Sequence, residues 1–278
     1  MRRGVLGVVG GKITSVTRTK CKLKPIHIRP RIDRFRRRAV GQRVVDVDRL
    51  GKRVVLRLSN DDSIIFEPRM TGLVLVANPP NQEHLRLSLS LSGCRVKQLL
   101  YWDRRGLGSV KLLSPSELED ELGPSNLGPD ALELSNDQLS ERLHVSRRAI
   151  KTALLDQRVI AGIGNLYASE ILHQAGIHPE LLCTRLKQAQ WQRIHLAMID
   201  VLETAIQHEG STLSDGTYRN ALNQSGGYQN HHRVYAREGE VCASCRQSVV
   251  VRIIQAQRST FFCPKCQGKT RRVIPKPR

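Results

Sequence analysis

The chain predicts an α+β protein in three ordered parts: an N-terminal β-sandwich over residues 1–120, a helical C-terminal domain over 121–228, and a zinc-closed β-hairpin over 229–268, with a basic tail at 269–278. Three observations predict it. Short β-rich runs separated by turn residues fill 12–113, the hydrophobic period turns helical after Ser135, and two Cys-x-x-Cys pairs stand near the C-terminus.

The strand series opens with Lys12-Ile13-Thr14-Ser15-Val16-Thr17, Val44-Val45-Asp46-Val47 and Arg53-Val54-Val55-Leu56-Arg57-Leu58. It continues through Ser63-Ile64-Ile65-Phe66, Leu73-Val74-Leu75-Val76, residues 85–91 and Gln98-Leu99-Leu100-Tyr101. Residues 85–91 alternate leucine with a polar residue, the period of a strand with one buried face. Several such strands at short spacing suggest an antiparallel sandwich. The polar, Gly/Pro-bearing passage 114–134 reads as an interdomain linker. Beyond it, Ala149, Ile150, Ala153 and Leu154 share one helix face, and Trp191, Ile194, Met198, Val201, Leu202 and Ala205 share another. Trp191 is therefore expected in the core, not on a base-stacking surface. Residues 211–230 are rich in Gly, Ser and Asn without a period, which predicts a mobile loop.

The cysteines fix the third part. Cys242, Cys245, Cys263 and Cys266 form two pairs with 17 residues between them, a spacing that closes one tetrahedral Zn2+ site from two knuckles. Cys21, Cys94 and Cys183 show no pairing pattern and no signal peptide is evident, which points to a reducing, cytoplasmic compartment. A net charge of +20 on 278 residues points to a polyanionic partner, most commonly nucleic acid. The charge is uneven: basic residues crowd the first sixty positions, including Arg34-Phe35-Arg36-Arg37-Arg38, while 117–141 is acid-rich. No apolar run approaches the ~20 residues that span a bilayer, so no membrane partner is expected.

Ala161-Gly162-Ile163-Gly164-Asn165 runs directly into the helical pattern Leu166-Tyr167-Ala168-Ser169-Glu170-Ile171-Leu172. A glycine turn delivering a helix N-terminus favours a phosphate, with Asn165 at the N-cap or facing the anion. In its wider context, from Lys151 through Asp156, Gln157 and Glu170 to Gly176 and Pro179, this segment resembles the helix–two-turn–helix element of the formamidopyrimidine-DNA glycosylase and endonuclease VIII family. Leu127-Gly128-Pro129-Asp130 resembles that family's linker. Val234-Tyr235-x-Arg237-x-Gly239 before the first cysteine pair, and Gln257-Arg258-Ser259-Thr260-Phe261-Phe262-Cys263, resemble its zinc finger. The resemblance covers nearly the whole chain.

It implies an enzyme of base-excision repair that flips a damaged base from double-stranded DNA, cleaves the glycosidic bond and nicks the abasic site by β,δ-elimination. Met70, Arg105 and Leu107 match the trio that fills the vacated space, with Leu107 where better-known members carry Phe. Lys52 matches a lysine assigned to phosphate contact and proton transfer, and Arg258 the finger arginine implicated in δ-elimination. His84 and Lys151 match backbone-phosphate contacts, and Asn165 a DNA-binding position. Oxidised purines (8-oxoguanine, formamidopyrimidines) are favoured, because 215–230 matches the purine branch's base-covering segment in position. Asp103-Arg104-Arg105-Gly106-Leu107-Gly108 departs from that branch's pattern and keeps an oxidised-pyrimidine, endonuclease VIII-type reading open. The expected form is a bacterial, nucleoid-associated monomer.

One departure matters. Family members open with Pro-Glu-Leu-Pro-Glu-Val-Glu, whose proline amine attacks C1′ and whose first Glu protonates the sugar; this sequence opens Met1-Arg2-Arg3-Gly4. If about nine helical residues preceded Met1, its amine would lie on the order of 13 Å from the attacking position. The expectation is a start codon placed internally, and a 278-residue polypeptide without the nucleophile and acid. A catalytically silent damage-binding paralogue is the alternative.

Overall fold

The computed structural model describes every residue except 214, 215, 217 and 269–278, so the basic tail lies outside the described residues. Contacts divide the chain into two units, Met1–Leu127 with Ala205–Asn230, and Gly128–Thr204 with His231–Arg278. Sequence order attaches 205–228 to the helical domain; contacts attach it to the β unit.

The first unit runs α1 (Arg2–Val5), β1 (Lys12–Arg18), β2 (His27–Arg29), α2 (Ile32–Ala39), β3 (Val44–Leu50), β4 (Arg53–Leu58), β5 (Ser63–Glu67), β6 (Gly72–Leu75), β7 (Leu85–Ser92), β8 (Gln98–Asp103), β9 (Ser109–Leu113) and α3 (Pro115–Leu122). One sheet has the order β1-β7-β8-β6 and the other β2-β9-β5-β4-β3. All pairings are antiparallel except β2 with β9, a departure from the fully antiparallel sandwich expected. Strand β4 shows why the two sheets stack. Its Val54, Leu56 and Leu58 join Ile13, Val16, Leu87 and Leu89 of the facing sheet in one core. Val55, on the opposite face, packs with Ile65 and Leu113 beneath Leu118 and Leu122 of α3. Each such fully buried side chain contributes roughly 1.5–3 kcal/mol.

Three local expectations need correction. The passage at 114–134 is not wholly linker: Ser114 and Glu117 close a capping box around Pro115 and start α3. The alternation in β7 breaks at Arg86, which is buried because its guanidinium donates to the carbonyls of Asp103 and Arg104. The loop at 211–230 is tied down over its described residues. Ala221 sits in the sandwich core and its carbonyl accepts from the Val76 amide at 2.9 Å. Asn220 Oδ1 accepts the amides of Leu222 and Gln224, so the polar composition serves local hydrogen bonds and not mobility.

The second unit holds α4 (Asn136–Leu143), α5 (Ile150–Leu154), α6 (Asn165–Ala175), most of α7 (Gln188–Gln207), and the hairpin β10 (Val251–Gln255) and β11 (Arg258–Phe262). Trp191 on α7 is buried, as its position on the apolar face predicts. Gly176, at φ 67°, closes α6 in the left-handed conformation that only glycine adopts at little cost. The helix starts one residue earlier than the sequence suggests: Gly164 is the N-cap and Asn165 the first helical residue.

Candidate functional site

The four finger cysteines converge in the second unit. Their sulfurs all lie within 4.8 Å of one another, with Cys242–Cys266 at 3.8 Å and Cys245–Cys263 at 3.7 Å. Tetrahedral Zn–S bonds of ~2.3 Å require sulfur separations of about 3.8 Å, which both of these pairs meet, so the four cysteines are placed to hold Zn2+. Around it, Gln267 accepts the Cys263 amide at 3.0 Å and donates to the Ile177 carbonyl at 2.9 Å. His173 of α6 places Nε2 3.6 Å from the Cys242 sulfur. The finger is thereby bolted to α6, and the site is structural: four protein ligands leave no open position.

A second cluster forms where the finger hairpin meets the glycine turn. Ala256 and Gln257, both at positive φ, make the two-residue turn that places Arg258 first on β11. The next carbonyl, Ser259, accepts from Asn165 Nδ2 at 2.9 Å and from Lys151 Nζ at 3.4 Å. Lys151 Nζ also donates to Asn165 Oδ1. Gln157 braces the turn, donating to the Leu155 and Ile163 carbonyls and accepting the Gly162 amide. Burial, and then the neighbouring Arg258 charge, lower the Lys151 pKa to about 8. Two cations close together beside a helix N-terminus, with the Lys151 ammonium hydrogen-bonded to neutral oxygens, make a seat for an anion.

In the first unit Met70, Arg105 and Leu107 come together. Arg105 Nη1 lies 3.5 Å from the Met70 sulfur, and Met70 is 70% exposed while Leu107 is 37% exposed. Side chains this exposed contribute little to the core. Both segments are held from below by buried Asp103. Its carboxylate accepts from the Thr71 hydroxyl at 2.5 Å, the Arg105 amide at 3.2 Å and the Gly108 amide at 2.8 Å. Arg86 secures the Asp103 carbonyl at 2.8 Å. Gly106 takes φ 61°, and a Cβ there would fall 2.2 Å from the Lys24 carbonyl, so the loop needs glycine twice over. His84 stands beside this loop, edge-on to Trp102 at 5.2 Å, with its carbonyl accepting the Asp103 amide. Lys52 is exposed on the turn between β3 and β4, next to Gly51 at φ 57°.

Sequence reasoning missed the supports. Glu170, 1% exposed on α6, accepts the amides of Arg233, Val234 and Tyr235 at 2.7–3.0 Å and so fixes the entry to the finger. Three amide donors match what a buried carboxylate needs. A Glu on the apolar side of a helix was the available signal. Asp103, Thr71 and Arg86 left no comparable trace, because the bonds that join the two segments, Thr71 to Asp103 and Arg105 and Arg86 to Asp103, span 17–34 positions.

Three family models match the chain. The formamidopyrimidine-DNA glycosylase N-terminal domain matches residues 1–110, the formamidopyrimidine-DNA glycosylase H2TH domain matches 127–217, and the zinc finger found in FPG and IleRS matches 239–268. The formamidopyrimidine-DNA glycosylase of Chloroflexus aurantiacus is 39% identical over 248 residues, covering 87% of this chain and 86% of that protein. That of Bacillus subtilis is 33% identical, covering 97% and 96%. Among solved structures, MutM (Fpg) from Thermus thermophilus aligns with TM-score 0.81 at 33% identity, covering 94% of this chain and 93% of that one. The Lactococcus lactis Fpg complex with abasic-site DNA aligns with TM-score 0.84 at 29% identity, covering 96% and 97%. Matched along nearly its whole length, with the zinc cage, glycine-turn helix and exposed Met–Arg–Leu group in their expected order, this chain belongs to the formamidopyrimidine-DNA glycosylase family.

Proposed function

We propose that the protein is a base-excision repair glycosylase that engages double-stranded damaged DNA as a monomer, in the cytoplasm of a bacterium. The observation that supports this reading is the Lys151–Asn165–Arg258 cluster, where a buried lysine bonded to Asn165 lies near the Arg258 charge at a helix N-terminus, an arrangement suited to a phosphate. Family membership supplies the reaction class. In this reading Lys151, Asn165 and Arg258 grip the backbone at the lesion, and His84 and Lys52 contact flanking phosphates. Met70, Arg105 and Leu107 occupy the space left by the extruded nucleotide, methionine and leucine against bases and arginine toward the orphaned partner. Leucine lacks a ring to stack, so retention of the gap depends more on Met70 than it would with phenylalanine.

The favoured substrates are oxidised purines, with abasic-site cleavage by β,δ-elimination; the alternative is an oxidised-pyrimidine preference. Duplexes carrying single defined lesions test this. Preferential release of 8-oxoguanine and formamidopyrimidines supports the purine reading, preferential release of oxidised pyrimidines supports the other, and equal handling of intact and damaged duplexes removes both. Elimination also needs an amine that attacks C1′. The Met1 side chain packs against both β-sandwich cores, and burial lowers the pKa of its α-amine despite the nearby Glu209 carboxylate. A lowered pKa keeps more of this amine neutral, so its packed position and not its protonation is what is expected to keep a polypeptide beginning at Met1 from forming a borohydride-trappable adduct with abasic DNA. One extended by Pro-Glu-Leu-Pro-Glu-Val-Glu and its helical continuation is expected to form it; trapping through Met1 itself removes this part of the proposal.

A further inference from the structure

Helix α2 carries arginines the fold does not use. Its inner face buries Phe35 and Ala39 in the sandwich core. Two of its arginines have structural partners: Arg36 donates to the Val16 carbonyl at 2.8 Å, and Arg38 forms a bidentate pair with Asp62 at 2.7 and 3.0 Å. Arg31, Arg34 and Arg37 differ. They recur at three-residue intervals, Arg31 as the extended N-cap just before the helix and Arg34 and Arg37 within it, are exposed, and have no side-chain partner among the described residues. Like charges three apart on a helix repel, so stability does not ask for this row.

The flanking sequence carries the same sign, and the carboxylates packed nearby, Asp62, Glu117 and Glu121, are paired with Arg38 and Arg29 and not with this row. Lys12, Arg18, Lys20, Lys22 and Lys24 precede the helix and Arg43 follows it, while Asp33 is the sole acid between residues 11 and 43. The row also stands away from the Met70–Arg105–Leu107 group. Arg38 is anchored to Asp62, immediately before β5, whereas Met70 lies past the other end of that strand. Five strand residues at ~3.3 Å each put roughly 15 Å between these ends. Likewise β2 starts beside the Gly108 carbonyl and runs parallel to β9, away from the loop, before delivering the chain to α2.

We propose that Arg31, Arg34 and Arg37 form a second DNA-binding face, which holds the sugar–phosphate backbone of a further duplex segment while the lesion-binding residues engage the first. Neighbouring side chains at this spacing are ~5–6 Å apart, and their long stems let each guanidinium reach its own phosphate. No base is read, because nothing on this face is shaped to enter a groove. A protein with two such faces passes between duplexes without releasing into solution. The inference rests on the repair reading for its first duplex.

The experiment uses the full chain bound to a short duplex with an abasic-site analogue, titrated at low salt with a second, undamaged duplex in another colour. The parent protein is expected to form a ternary complex containing one protein chain. R31Q/R34Q/R37Q is expected to bind the abasic duplex as before but to lose ternary affinity tenfold or more. The log–log salt slope of that second step is expected to fall by about 2–3, since each phosphate contact accounts for ~0.9. R31K/R34K/R37K, which keeps the charge, is expected to retain the second step. Absence of a ternary complex overturns the inference, as do equal uptake by the glutamine variant or two protein chains per ternary complex. Failure of the parent to hold the abasic duplex in the first step overturns the repair reading instead.

Discussion

The phosphate-seat cluster of the second unit and the Met70–Arg105–Leu107 group of the first present opposite designs. Lys151 is fully buried, locked to Asn165 and to the finger's Ser259 carbonyl, and backed by a metal cage. Met70 is largely exposed, and the anchoring beneath the group is to backbone amides of Arg105 and Gly108 and to the Thr71 hydroxyl, through Asp103. A phosphate recurs unchanged at every nucleotide, so a rigid, preorganised seat suits it. A gap in a base stack varies with the lesion and its partner, so flexible side chains on a fixed loop suit that. In the proposed reading, the difference teaches that rigidity follows the constancy of what each group would bind.

The comparison breaks most visibly at the metal. Chelating zinc, or Cys263→Ser, removes binding energy that is also the folding energy of such a finger, roughly 10–16 kcal/mol. Amide signals of 239–268 are expected to collapse while those of the sandwich persist, and DNA affinity to fall with Arg258 set adrift. Retained dispersion after chelation would show that the hairpin stands without its staple.

Next come the buried polar supports. Asp103→Ala leaves the Gly108 amide and the Thr71 hydroxyl without their acceptor and the Arg105 amide with the Thr71 oxygen alone, a cost of about 1–3 kcal/mol in unfolding free energy. It is expected to impair excision at the same time by releasing the loop. Lys151→Ala should weaken DNA binding about evenly across sequences, because phosphate contacts carry no sequence information.

The pH dependence sharpens the contrast. The folded Lys151 pKa of about 8 lies below the ordinary ~10.4, so between these values the unfolded chain holds a proton that the folded one has lost. The burial penalty is present in full below pH 8, and stability from this group rises as pH climbs through 8 to 10.4. Phosphate attraction runs the other way, weakening above pH 8. Lys151→Arg is expected to flatten the loss of DNA affinity between pH 7 and 9; an unchanged profile would assign that loss elsewhere. The smallest effect on stability is at Met70→Ala, within about 0.5 kcal/mol because the side chain is exposed, yet excision is expected to slow.

Local signals in the sequence therefore determined a good deal. Cysteine spacing fixed the zinc cage, since two-residue knuckles aim both sulfurs at one centre, and strand and helix periods located the two structural classes. Motif order located Lys151, Asn165 and Arg258, though not that Ser259 would bind the first two together. What tertiary structure alone decided is long-range and polar. The parallel β2–β9 pair, the attachment of Ala205–Asn230 to the β unit, the burial of Arg86 under the Asp103 carbonyl and the docking of Glu170 on three amides leave no periodic trace. Hydrophobic burial repeats along a chain and can be read one face at a time. A buried charge is stabilised by specific donors and acceptors, and only the fold brings those together.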